Sequence, residues 1–537
     1  MTDTQYIIKT KQLIDSLKNV CANYGLGNDG NEFKIITQVF LYKFLNDKFT
    51  YTSKLNNEAL AKADDFYEAL HAMKEDDFEF LLMANGENEL HFKPDYLISY
   101  LYQNQNQDNF SKLFDNTLKA ISSENVERFS VKSSSGAKDL MFDELSQFIS
   151  DSTQRDDFCR ALINKLFEFS FEDMFGQKYD FFATIFEYLI KDYNTDSGGK
   201  YAEYYTPHAV ARIMAAIMVN EPVNNVTCYD PSAGSGTLLM NIAHAIGEDK
   251  CSIFSEDISQ KSSNMLRLNL ILNNLSLSIP NIVKTNTILN PQHRDEKFDY
   301  IVSNPPFKLD FSDYRKDLDS KINNERFFAG LPNVPKAKKE SMAIYLLFIQ
   351  HIMYSLSAKG KAAIVVPTGF ITAQSGIEKK IREAMVSRNM LRGVVSMPSN
   401  IFASTGTNVS VLFLDSAHPD DKVILVDASK LGDTVKEGKN QRTVLTPTEE
   451  QKIIDAFNLL KTEDDFAVQV SHAEIKDKNY SFSAGQYFDV KIDYIDITAD
   501  EFREKMGNFE SSLNCLFFEA SKLDEQILAN LKRLYHV

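Results

Sequence analysis

The chain has 537 residues, too long for one ordinary domain, with 43% hydrophobic and 25% charged residues, the balance of a folded globular protein. The net charge is −17, which argues against a protein that grips nucleic acid alone through a basic surface. No apolar run is long enough for a membrane span, the start lacks signal-peptide order, and Cys21, Cys159, Cys228, Cys251 and Cys515 form no C-x-x-C pair, so a cytosolic protein with neither a disulfide framework nor a metal site is expected.

Residues 1–165 read as a helical domain. Helical spacing of apolar residues predicts helices over 7–24 and 32–49, and similar segments at 64–73, 95–103, 110–121 and 140–149. The stretch VKSSSGAK at 131–138 reads as a loop. From 166 to about 490 short β-branched runs alternate with helical patterns. Strands are predicted at 225–229, 251–254, 282–285, 298–303, 362–366, 391–396 and 409–414, and helices at 237–246, 259–274, 342–357 and 377–386. That alternation is the signature of an α/β domain whose mostly parallel sheet is covered on both faces. Residues 491–537 read as a helical tail with a partly heptad-like pattern: Phe502, Met506, Phe509, Leu513, Leu523, Ile527, Leu531 and Leu534. Such a helix either packs on its own domain or docks on a partner.

Two motifs carry chemistry. In YDPSAGSGTLL, Asp230 ends a strand, Gly234 and Gly236 permit a tight turn near a ligand, and a helix begins at about Thr237. A polar or anionic group suits that helix terminus, but no Lys-Ser/Thr follows, so this is not a phosphate-cradling loop. The next strand ends in Glu256 and Asp257, and a carboxylate there is placed to bind ribose hydroxyls. In FDYIVSNPPF an apolar strand runs straight into Asn304, Pro305, Pro306 and Phe307. The prolines stiffen the turn. The Asn304 amide oxygen, with a backbone carbonyl, can accept both hydrogens of an exocyclic amine while Phe307 stacks on the ring that carries it.

D-P-x-x-G-x-G followed by N-P-P-F resembles the γ-type amino-methyltransferases, and the whole chain, including the segment YYTPHAVARIM, resembles the modification subunits of type I restriction–modification systems. The resemblance implies the class I S-adenosylmethionine-dependent methyltransferase fold and an N6-adenine DNA methyltransferase. It implies that Tyr205, Thr206 and Pro207 help close the cofactor pocket. Asp230, Gly234 and Gly236, with Ser232 and Ser235 among them, would hold the methionine arm. Asp257 would bind the ribose, with Glu256 as the alternative. Asn286 stands where the family usually has an aspartate near the cofactor adenine. Asn304, Pro305, Pro306 and Phe307 would form the catalytic motif. The implied partners are DNA, a separate specificity subunit bound by two copies of this chain, and an optional restriction subunit, which fits an acidic chain with no evident sequence-reading domain.

Two other readings stay open: transfer to another planar amine (a protein glutamine, an RNA base or cytosine N4), or a scaffold that binds without turnover. Cytosine N4 enzymes more often resemble Ser-Pro-Pro, glutamine enzymes resemble N-P-P-Y in shorter chains, and the intact motifs argue against decay. Residues 308–340, with Arg315, Lys316, Lys321, Arg326, Lys336, Lys338 and Lys339, read as a DNA-side loop that orders on binding or as a solvated insertion.

Overall fold

The computed structural model describes residues 3–27, 30–86, 89–175, 188, 206–402, 408–437, 440–488 and 497–534. The chain divides into two compact units, Met1–Phe488 and Asp489–Val537.

The first unit is organised by one sheet. Its strands, in chain order, are β1 (Val131–Ser133), β2 (Lys138–Asp139), β3 (Val226–Asp230), β4 (Cys251–Asp257), β5 (Ile282–Lys284), β6 (Phe298–Ser303), β7 (Leu356–Pro367), β8 (Leu391–Ser396), β9 (Val409–Asp415) and β10 (Lys422–Asp427), while β11 (Asp433–Glu437) and β12 (Asn440–Val444) form a separate hairpin, and β13 (Ala467–Ser471) returns to the edge. The order across the sheet is β13-β10-β8-β9-β7-β6-β3-β4-β5-β1-β2. Strands β5, β4, β3, β6 and β7 run parallel, and β9 is antiparallel to both its neighbours β7 and β8.

Burial on both faces explains why the central strands are apolar throughout rather than alternating with polar residues. Along β7, Ala363 and Val365 enter one core cluster, and Ala362, Ile364 and Val366 enter the other. Tyr300 and Val302 of β6 part from Ile301 in the same way. The order in which strands are added reverses at β3: the chain winds outward through β4 and β5, then crosses back to lay β6 on the other side of β3. A crevice opens at the carboxyl ends of the strands at such a switch point.

Helices supply the outer layers. Val210, Ile213, Met214 and Ile217 lie on the buried stripe of His208–Met218, and Leu239, Ile242 and Ala243 on that of Thr237–Ile246. In the N-terminal region Asp3–Asn23, Gly30–Asn56, Phe110–Glu124 and Arg155–Phe167 are the longer helices.

Several expectations change. The polar stretch 131–138 is not a loop. It turns at Gly136 (φ 81°), and its strands β1 and β2 extend the sheet, with β1 parallel to β5. The N-terminal region therefore contributes strands as well as helices. Residues 140–149 hold only a single 3-10 turn, Leu145–Phe148, although Met141, Phe142, Leu145 and Ile149 are buried at helical spacing, because the Phe142, Asp143 and Ser146 amides donate to the Ser122, Gln38 and Asp115 side chains instead of to a helical ladder. The helix expected over 342–357 is Tyr345–Ser355, and β7 takes over at Leu356. Beyond β9, the strands β10 and β13 and the helix Pro447–Asn458, which starts with a capping box at Thr446 and Glu449, complete the layer.

Residues 308–340 also differ from a solvated insertion. Phe311, Leu318 and Phe327 form a core cluster with Ile288, Met342 and Ile344, and the Arg326 side chain is 1% exposed. The segment is anchored at several points along its length.

The second unit is the helix Ala499–Leu534. Phe502, Met506, Phe509, Leu513, Leu516, Leu523 and Ile527 recur at alternating steps of four and three residues, with Ala520 at the intervening step, and each of these large apolar side chains is exposed. Among the described residues no helix is long and apolar enough to cross a membrane.

Candidate active site

The carboxyl ends of β3, β4, β5 and β6 converge on a cavity of about 780 Å³. It is lined by both sequence motifs, by Asp257 and Asn286, and by residues of the segments that precede and follow β7.

The glycine loop owes its shape to its own hydrogen bonds. Asp230 is 2% exposed, and its Oδ1 accepts the Ser232 amide at 2.9 Å. Burial pushes its carboxyl up to about 7, although Ser232 and Ser303 donate hydrogen bonds that pull the other way. Gly234 (φ 53°) donates its N–H to Asp257 Oδ2 at 2.9 Å, and Ser259 donates to Asp257 Oδ1 at 2.8 Å. The β4 carboxylate thus holds the loop from below while lining the cavity. Gly236 (φ 83°) is required twice: its backbone is left-handed, and a Cβ there would sit 2.3 Å from Leu266 Cδ1. Ser235 is pinned through its carbonyl by Asn269 at 3.2 Å, and the helix Thr237–Ile246 starts immediately beyond.

Glu256 behaves differently from its neighbour. It is fully buried, and its Oε1 accepts the Gln292 and His293 amides at 2.6 and 2.8 Å. Alternation along β4 turns it under the sheet end, so Asp257 and not Glu256 lines the cavity. Ile258, next in sequence, lines the same cavity and is 63% exposed, a large apolar side chain presented to a ligand. Asn286 lines the cavity beyond β5. Its Oδ1 accepts the Leu289 amide at 3.1 Å, and its side chain also bonds Tyr314.

Opposite stands the Asn-Pro-Pro-Phe turn. Asn304 Nδ2 donates to Thr206 Oγ1 at 3.2 Å, a bond that orients the amide with Oδ1 toward other partners. Ser303 Oγ meets Ser232 Oγ at 2.8 Å, so the two motifs are tied directly together. Phe307 packs edge-on against Tyr345 (6.3 Å between centroids, 74°), and Tyr345 packs the same way against Phe370 (6.1 Å, 83°). Pro207 caps the helix His208–Met218 and, like Gly236, is not part of the cavity lining. Tyr205 lies outside the described residues.

Beneath the cavity floor runs a buried polar chain. Arg326 donates to the Ile288 carbonyl at 2.8 Å and to the Thr287 carbonyl, and its Nε–H donates to His351 Nδ1 at 3.0 Å. His351 is therefore neutral, and its Nε2 faces the Tyr229 hydroxyl at 3.1 Å. Burial first, then the Arg326 charge, holds the imidazole well below its ordinary value. Thr287 and Ile288 line the cavity beside Asn286, so Arg326 fixes that wall from behind.

Tyr345, Tyr314, Ile258 and Phe402 also line the cavity, and the sequence motifs include none of them. Ile258 has a legible signal, an apolar residue just after the strand-end carboxylate. The others reach the site only through the fold.

Comparison with known proteins settles the class. The defining pattern described as N-6 DNA methylase matches residues 177–493, more than half of the chain. The chain belongs to the N-6 DNA methylase family. Only adenine among the DNA bases carries an amine at position 6, so the class is adenine DNA methyltransferase. The chain is similar to the type I restriction enzyme MpnII methylase subunit of Mycoplasma pneumoniae, 27% identical over 86% of each chain. It is also similar to the MjaIX methylase subunit of Methanocaldococcus jannaschii, 26% identical over 68% of this chain and 65% of that one. Among solved structures, the type I restriction–modification methyltransferase subunit of Streptococcus thermophilus superposes with a TM-score of 0.70 at 24% identity, covering 89% of this chain and 99% of that one. The fold is that of the class I S-adenosylmethionine-dependent methyltransferases, as the resemblance implied. In this methylase the strands β3 to β9 supply its parallel sheet with one antiparallel member, and both motifs stand at the carboxyl ends.

Proposed function

We propose that this methylase transfers a methyl group from S-adenosylmethionine to N6 of adenine in DNA, as the modification subunit of a type I restriction–modification complex. The observation that carries the reading is the single cavity shared by the glycine loop, Asp257 and the Asn304–Phe307 turn. Its volume suits a nucleoside cofactor together with a base.

The residues present fit the cofactor. The helix terminus and glycine loop receive the methionine arm, with Asp230, Ser232 and Ser235 supplying polar atoms. Asp257 takes the ribose hydroxyls, Ile258 covers the adenine face, and Asn286 meets the adenine edge. Bound there, S-adenosylmethionine supplies an electrophilic methyl group. The target adenine leaves the duplex to reach Asn304. Asn304 Oδ1 accepts from the amine, keeps its lone pair directed at the methyl carbon, and stabilises the charge that develops on nitrogen. Pro305 and Pro306 hold the turn rigid, and Phe307, braced by Tyr345, stacks on the base. The extra proton passes to water after transfer, with no titrating base in the turn.

The names of the relatives, methylase subunits of type I restriction enzymes, support assembly with other subunits; in this reading those are a specificity subunit that reads sequence and is bound by two copies of this chain, and an optional restriction subunit. The net charge of −17 supports a partner that supplies much of the grip on DNA. The heptad-spaced exposed face of Ala499–Leu534 supports helix-to-helix docking on that partner. Work on chromosomal DNA places the complex in the cytosol.

Base-modification sequencing tests the reading, on genomes of cells expressing the chain with its neighbouring genes, as the parent and as Asn304→Ala. N6-methyladenine at one split sequence in the parent alone is the expected result. Identical genomes would remove the reading.

A further inference from the structure

Taking the cavity as the pocket for a DNA adenine, we infer that the lysine turn Lys336–Lys339, with Lys308, is a clamp for the backbone phosphates beside that adenine. In a chain with a net charge of −17, this is a basic run next to the proposed catalytic motif. Its placement at the cavity rim is built into the fold. Lys308 lines the cavity, and the Leu309 N–H donates to the Met342 carbonyl at 3.1 Å, which lays the lysine turn alongside. Ala343, Ile344 and Tyr345, directly after it, line the cavity again.

The turn is held as a rigid unit. Ser341 donates through its N–H and its Oγ to the Lys338 carbonyl at 2.9 and 2.7 Å, and Met342 N–H donates to the Lys339 carbonyl at 3.1 Å. Lys338 takes a left-handed backbone (φ 58°), a conformation that a β-carbon resists and that the turn imposes. Met342, 3% exposed, plugs the turn into the cluster that contains Ile288 and Phe311. Fixing the backbone this way lowers the ordering cost that flexible lysines otherwise impose on binding. The side chains stay available: Lys308, Lys336, Lys338 and Lys339 are all exposed, and none of them forms an ion pair among the described residues. Asp310 and Glu340 are the nearby acids; hydrogen bonds from the Ser312 backbone and side chain hold the Asp310 carboxyl below its ordinary value, and the Lys339 charge adds to that without pairing with it.

Phosphates of a nucleic-acid backbone match this arrangement better than an acidic peptide does. A base extruded into the aromatic pocket carries its own phosphates at the rim, where the lysines stand. The extruded nucleotide is thus held at both ends, the base by Phe307 and the backbone by the turn.

The test is the salt dependence of binding to a fluorescein-labelled duplex of random sequence by the full chain, starting from low salt. Lys308 is left unchanged because it lines the cavity. Lys336→Gln, Lys338→Gln and Lys339→Gln together should flatten the slope of log affinity against log salt by about 0.9 for each phosphate that is no longer neutralised, roughly two to three in all. The three Lys→Arg changes should restore it, and binding of S-adenosylmethionine should not move. Neutralising Lys250, Lys359 and Lys461, exposed elsewhere, serves as the control. An unchanged slope in the first triple variant overturns the clamp, as does an equal loss in the control or no duplex binding by the parent. The comparison of Asn304→Ala with the parent for methyl transfer reports separately on the function, so a failed clamp and a failed methyltransferase are told apart.

Discussion

Around the glycine loop the cavity wall is backbone and carboxylate: Asp230 and Asp257 bond main-chain N–H groups, Gly234 exposes the chain to a ligand, and Gly236 behind it makes the turn. Across the cavity, from Asn304 to Phe402, the wall is amide, proline and ring, with Phe307, Tyr345 and Phe370 packed edge to face. The first wall is local in sequence and held by hydrogen bonds. The second is assembled from distant segments and held by packing. The contrast fits one site with two tasks, gripping a polar cofactor in a fixed pose and accepting a flat base that arrives from outside.

The largest effect should come from the one polar side chain on the second wall that meets the amine. Asn304→Ala should lower kcat by about 10²–10³-fold, the usual loss of one preorganised polar group. Cofactor affinity should be nearly unchanged, since the first wall is intact. Equilibrium binding of S-adenosylmethionine beside single-turnover methylation separates the two. A matching loss of cofactor affinity would mean that the walls are not independent.

Breaking the first wall calls for Gly236→Ala. The left-handed backbone costs a side chain about 1–2 kcal/mol, and a Cβ at 2.3 Å from Leu266, itself 1% exposed, adds about 1–3 kcal/mol of overpacking. Thermal melting should drop and cofactor affinity should fall with it. Gly30→Ala, where a Cβ meets nothing within 4 Å, is the matched control and should do neither.

The same division explains what sequence alone reveals. The glycine loop and the Asn-Pro-Pro-Phe turn are legible because each is contiguous and needs residue types that little else requires. Strands from β3 to β9 are legible because burial on both faces leaves short apolar runs. Tyr345 is not legible, because nothing local distinguishes a tyrosine that opens a helix from one that lines a cavity. Residues 308–340 mislead through composition: their charges dominate the average, while three spaced aromatic and aliphatic residues and one arginine do the anchoring. The hairpin β1–β2 misleads likewise, since serine and glycine fit an edge strand only after β5 offers its backbone. Glu256 and Asp257 are equivalent as letters, and only the pleat of β4 decides which one faces the cavity.

A smaller effect is expected for Phe307→Ala. Stacking on one base is worth about 1–3 kcal/mol, so the KM for DNA should rise by roughly ten- to a hundredfold while cofactor binding holds. Phe307→Tyr keeps the ring and should stay close to the parent. Equal losses in both variants would show that Phe307 acts through its packing on Tyr345 rather than as a stacking surface.

The smallest effect tests the first wall through its charge. Burial raises the Asp230 carboxyl from its ordinary 3.8 to about 7, so the folded protein holds a proton that the unfolded chain has already released. As pH rises from about 4 to about 7 the unfolded state gains relative to the folded one, and this contribution to stability declines, levelling off above the folded value. Asp230→Asn should abolish that slope in melts taken across the window, leaving the pH dependence of the remaining groups. A cationic ligand beside Asp230 favours the carboxylate, so binding of S-adenosylmethionine should release a proton and tighten by up to about tenfold from about pH 6 to about pH 8. Calorimetry in buffers of different ionisation enthalpy counts that proton directly. If the parent and Asp230→Asn show the same proton release, the buried carboxyl does not meet the cofactor's positive charge, and the polarity of the first wall serves the glycine loop alone.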